Sequence, residues 1–91
     1  MPQYVMVMMG SASKGDWDAY VDSLVSSGCF RGVSSLGNGV SVCKNEHDGE
    51  CQVTGYMRFS AESIGEVRKL IPGNPLYEAG GRIELLEEIL E

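Results

Sequence analysis

The chain has 91 residues, 43% of them hydrophobic and 22% charged, with a net charge of −6 at pH 7. That length fills one domain, residues 1–91, and excludes two. An acidic balance without a basic stripe argues against nucleic acid and against an anionic membrane surface, and no apolar run approaches the roughly 18 residues of a transmembrane helix.

The N-terminus, Met1-Pro2-Gln3-Tyr4, has neither a positive n-region nor an apolar h-region, which predicts a cytoplasmic protein. Cys29, Cys43 and Cys51 form no CxxC pair and have no usable histidine spacing, so no zinc site or other cofactor is expected. They read as reduced, small hydrophobes. Cys43 and Cys51 flank a loop, which would let them face each other across two strands.

Tyr4 to Met9 is predicted as a strand, apolar on both faces, as in a strand covered on both sides. Ser13, with Asp16 three residues on, predicts the N-cap of a helix over Lys14 to Ser27. Trp17, Tyr20, Val21, Leu24 and Val25 form its apolar stripe, and Gly28 stands where a terminating glycine belongs. Phe30 to Leu36 reads as a second strand. Gly37-Asn38-Gly39 is a hairpin signal, so Val40 to Lys44 is expected to return antiparallel to it. That glycine pair is no phosphate loop, because no Lys-Ser/Thr step follows and a strand does. The polar turn Asn45 to Gly49 leads to a long strand, Cys51 to Phe59, completing a three-strand meander.

In that long strand Gly55, Met57 and Phe59 alternate with Thr54, Tyr56 and Arg58, one set for a core and the other for polar partners. A second helix starts at Ser60, or at a capping box formed by Ser63 and Glu66. Ile64, Val67, Leu70 and Ile71 make its apolar face, and Pro72-Gly73 stops it. Asn74-Pro75 opens a connection, Ala79-Gly80-Gly81 turns, and Arg82 to Leu86 is the last strand; the acidic end, Glu87 to Glu91, either extends it or wanders from it. The order β-α-β-β-β-α-β predicts an α+β fold: a ferredoxin-like sandwich with both helices on one face of a mixed sheet. The apolar character left on the other face predicts a homodimer, sheet against sheet, in the manner of a dimeric α/β barrel.

The strand Tyr4-Val5-Met6-Val7-Met8 and the step Ser27-Gly28-Cys29-Phe30-Arg31-Gly32 carry a family resemblance, together with Thr54-Gly55-Tyr56-Met57-Arg58-Phe59. The most specific element is Gly73-Asn74-Pro75-Leu76-Tyr77-Glu78-Ala79-Gly80-Gly81. Through these the chain resembles the YCII-related family across nearly its whole length. The resemblance implies a ferredoxin-like fold, a face-to-face dimer and a ligand pocket between sheet and helices. For members that are enzymes it implies isomerase or lyase chemistry on small organic acids. Family enzymes carry a histidine on the first helix paired with an aspartate, whereas this helix has none and Tyr20 lies near that place. Where relatives have Asp-Pro this chain has Asn74-Pro75, and an amide cannot act as a general base.

His47, the one histidine, sits in a polar turn and reads as solvated. Thr54, Tyr56 and Arg58 supply a hydroxyl, a phenol and a guanidinium, a donor set suited to a small carboxylate. Arg31 with Ser34 could join them from the neighbouring strand. Arg58 would serve equally as partner to an acidic residue across a dimer interface. Asn74 and Tyr77 flank a proline at a connection and are candidates for a pocket rim, with Glu78 as a carboxylate base. Three readings follow: an isomerase or lyase of small organic acids, a non-catalytic binding protein using the same site, and a structural or accessory homodimer without ligand.

Overall fold

The computed structural model describes residues 1–10 and 15–89. The expected N-cap Ser13 and the helix start at Lys14 lie outside that range. The elements are β1 (Gln3–Met9), α1 (Trp17–Ser27), β2 (Phe30–Ser35), β3 (Val40–Ser41), β4 (Gly49–Glu50), β5 (Val53–Ser60), α2 (Ile64–Arg68), α3 (Pro75–Glu78) and β6 (Arg82–Glu88). The fold is α+β: a four-stranded sheet in the order β2-β5-β1-β6, and a separate β3-β4 ribbon. Every pairing is antiparallel, so the expected mixed sheet is corrected.

Strand alternation places the core. In β1, Tyr4, Met6 and Met8 are buried. Met6 sits opposite Met57 of β5 and opposite Leu85 of β6, so the buried sets share one face. Tyr20 and Leu24 from α1, Val67 from α2 and Leu76 from α3 join that same cluster, which puts all three helices on one side. The other face carries Val5 and Val7, half-buried, and Leu86, which is 52% exposed.

Local chemistry explains the helix ends. Asp16 caps α1 by accepting from the Ala19 N–H (2.9 Å), and Gly28 ends it in the left-handed region at φ 79°, where a side chain would be strained. Of the expected stripe, Val25 lies outside the core, exposed on the last turn of α1. Ser63 accepts from the Glu66 N–H, so Ser63 is the N-cap used; the Glu66 carboxylate accepts from the N–H of Glu62 (3.0 Å), one residue before the cap, so the expected box is only half made.

Two expectations fail for long-range reasons. Val40 does not return along β2; β2 pairs directly with β5, and β3 pairs only with β4, so there is no meander. The ribbon register sets Val40 against Glu50 and Ser41 against Gly49, which leaves Cys43 and Cys51 out of step, and all three cysteines are free. The Asn74-Pro75 connection is itself a short helix, α3. Asn74 is its N-cap and Pro75 occupies its first turn, where no N–H is needed. The last strand runs two residues past Leu86, to Glu88.

Candidate functional site

The residues expected to form one site are divided by the sheet. On the face away from the helices, Ser34 stands opposite Tyr56, and Arg58 is the next residue on that side of β5. The Arg58 guanidinium lies 5.9 Å from the centre of the Tyr56 ring and 3.7 Å from a Glu88 carboxylate oxygen. Val5, opposite Arg58 and Leu86, and Val7, opposite Tyr56 and Glu84, form the apolar ground between them. A guanidinium has five N–H donors, and one ion pair at that distance leaves most of them open. The pair is substantially exposed, so its contribution to stability is at most about 1 kcal/mol.

Thr54 leaves this group. The register shifts by one residue between Met8 and Met9, making Thr54 the extra residue of a bulge. Its hydroxyl donates to the Met8 carbonyl (3.4 Å), and it borders a helix-side hollow of about 310 Å³ walled by Trp17, Val33 and Leu76. Arg31 leaves it as well: its guanidinium donates to the Gly28 and Phe30 carbonyls (both 3.0 Å), fixing the corner between α1 and β2.

Asn74 is fully buried. Its carbonyl oxygen accepts from the Leu76 N–H (2.9 Å) and the Tyr77 N–H (3.1 Å), while its amide nitrogen faces the sulfurs of Met8 (3.7 Å) and Met6 (4.0 Å). A carboxylate here would be desolvated beside thioethers; the amide gives the same capping oxygen without charge. Asn74 is thus a structural centre of the α2–α3 corner. Tyr20 is buried beside it and donates to the Leu70 carbonyl (2.8 Å). Burial pushes its phenol above the usual value, with the Asn74 side chain acting in the opposite direction. A phenol held protonated and already donating is a poor proton acceptor at neutral pH. Glu78 is exposed, on the rim of a shallow hollow of about 540 Å³ between α1 and α3.

Tyr77 belongs to a different place, a groove of about 670 Å³ between α2, α3 and β6. Ile64, Ile71, Ile83 and Leu85 line it, with Arg68 and Arg82 at its edges. Neither arginine stood out in the sequence; the signal was the conjunction of a basic residue ending one short helix and another opening the last strand. Among the described residues no three His, Cys, Asp or Glu side chains gather as a metal site, and no helix is long and apolar enough to cross a membrane. Comparison with family models, with curated proteins and with solved structures finds no match for the chain.

Proposed function

We propose that the chain is a YCII-like, ferredoxin-like protein that pairs as a homodimer through its open sheet face and binds a small organic acid there. The order β2-β5-β1-β6 supports the fold reading. β1 and β2 run parallel with β5 between them, and β5 and β6 run parallel with β1 between them, which makes two interlocked split β-α-β units. The accessible surface, 6336 Å², supports the dimer: a compact monomer of this mass exposes about 5,200 Å².

The observation that carries the ligand reading is the Ser34–Tyr56–Arg58 cluster on apolar ground, its guanidinium only loosely engaged by Glu88. A carboxylate would take the open guanidinium donors, the Tyr56 and Ser34 hydroxyls would add hydrogen bonds, and Val5 and Val7 would meet the acid's carbon skeleton. Isomerase or lyase turnover would further require a proton carrier on this face, where Tyr56 is the phenol available. The Arg58–Glu88 pair is also what favours the second reading, an accessory homodimer in which the arginine only balances charge.

A thermal-shift series with small mono- and dicarboxylates on wild type and Arg58→Ala separates the two. An acid at ten times its Kd raises stability by about 1.4 kcal/mol, and the shift is expected to vanish in the variant. A shift of equal size in Arg58→Ala, or none with any acid in wild type, removes the ligand from this face.

A further inference from the structure

We infer that the arm formed by residues 36–52 is a clasp that closes over the α2–α3–β6 groove of a second copy of the chain. The inference rests on the homodimer reading above and adds a second contact region to it.

The arm is unfinished on its own. Residues 35–52 are exposed without exception, and among them Val40 is 60% and Val42 71% exposed. Two-residue strands paired only with each other are not self-stabilising. The radius of gyration is 14.1 Å, against roughly 12 Å for a compact chain of this length, and the molecule measures 43 × 38 × 18 Å. An apolar-edged ribbon held away from the body needs a surface to lie on.

The groove matches it in chemistry. Its floor is aliphatic and its edges carry Arg68 and Arg82, two of only seven basic residues in a chain of net charge −6; Arg82 is paired with Glu84 (3.1 Å), so Arg68 is the cation that faces an incoming acidic segment. The arm presents aliphatic Val40 and Val42 together with Glu46, Asp48 and Glu50, offset by one lysine, Lys44. Apolar meets apolar, and the acidic ribbon meets the basic rim.

In one chain the arm and the groove lie apart; pairing of two copies brings them near. The arm leaves the sheet where β2 ends and β5 begins, on the β2 edge. β6 runs parallel to β5, so its first residues, which line the groove, are at the same end of the sheet but on the opposite edge. Within this chain the arm lines no part of that groove, which lies three strand spacings, roughly 14 Å, away. When two such sheets pack face to face about a two-fold axis along the strands, strand direction is kept and edge order is reversed. β2 of one copy then falls over the open face of β6 of the other; the groove lies on the helix side of that outer strand, so each arm passes round the end of β6 to reach the other's groove. The contact is made twice, and it closes.

Sedimentation equilibrium of the full chain across a concentration series tests this with three variants: Val40→Asp/Val42→Asp on the arm, Arg68→Glu on the groove and Val7→Asp on the open face. The arm and Arg68 positions are exposed, so the fold is expected to persist, checked by an unchanged far-UV circular dichroism spectrum. The arm variant and Arg68→Glu are each expected to raise the dimer dissociation constant by about tenfold or more. Wild type that sediments as single chains overturns the dimer and the clasp together. A dimer broken by Val7→Asp but indifferent to the arm variant leaves the face pairing standing and overturns the clasp. An arm variant that weakens the dimer while Arg68→Glu does not places the arm elsewhere than in this groove, and overturns it too.

Discussion

The two faces of the sheet are made by the same strands, yet they differ in how far one chain can complete them. Toward the helices, Tyr4, Met6, Met8, Met57 and Phe59 are all buried, and α1, α2 and α3 close over them. On the reverse, Val5, Val7 and Tyr56 are only half-buried and Leu86 is open. The difference teaches that period-two alternation divides the residues between faces, but the number of helices decides how many faces are covered. With all three helices on one side, no helix among the described residues covers the other.

The widest test of that contrast is a pair of truncations. Phe59→Ala on the helix side is expected to cost about 3–5 kcal/mol in urea unfolding. Leu86→Ala on the reverse, measured in solution dilute enough to keep the chain monomeric, is expected to cost about 0.5 kcal/mol. Similar losses at the two positions would mean that both faces are finished within one chain.

Asn74→Ala sharpens the account of the helix side. It removes the cap of α3 and leaves two N–H groups and a buried space behind, with an expected loss of about 2 kcal/mol. Asn74→Asp keeps the cap but buries a charge beside the methionine sulfurs. If the aspartate variant proves as stable as wild type at neutral pH, the neutral-amide explanation is wrong.

The smallest effect is a pH dependence. Tyr20 is raised above its ordinary value of 10.0 by burial, so the folded state holds its proton more tightly than the unfolded state. The stability this gives is fully present below the unfolded value and is lost as pH rises through the folded one. Tyr20→Phe is therefore expected to flatten the alkaline decline above about pH 10. At neutral pH it deprives the Leu70 carbonyl of its donor, at a cost of about 1 kcal/mol. An alkaline decline identical in the variant would assign it to other groups.

What the sequence disclosed was local. The helical spacing of Tyr20 and Leu24, the N-cap at Ser63, and the alternation of Met57 and Phe59 with Tyr56 and Arg58 all depend on near neighbours, and all recur in the structure. What it withheld depends on residues far apart. Two adjacent strand signals do not say that β2 will pass over its neighbour to pair with β5. The bulge that removes Thr54 from the polar face arises from a mismatch with β1, and the partner of Arg58 lies at the far end of the chain, in Glu88. Asn74-Pro75 was ambiguous in itself, since the same two residues open a turn or cap a helix.

The irregularity in β2 has a consequence of another kind. The register slips between Phe30 and Gly32, and Gly32 takes φ 143°, a conformation that leaves the strand kinked, while Arg31 engages the carbonyls of Gly28 and Phe30. β2 is an outer strand, and a straight outer strand is a template on which further chains can add without limit. A bent one, with the Phe30 carbonyl already engaged, is a poor template. Strand addition is thereby discouraged on the β2 side; the other outer strand, β6, runs in unbroken register with β1 and relies instead on the charges of Arg82, Glu84, Glu87 and Glu88 to discourage a further chain.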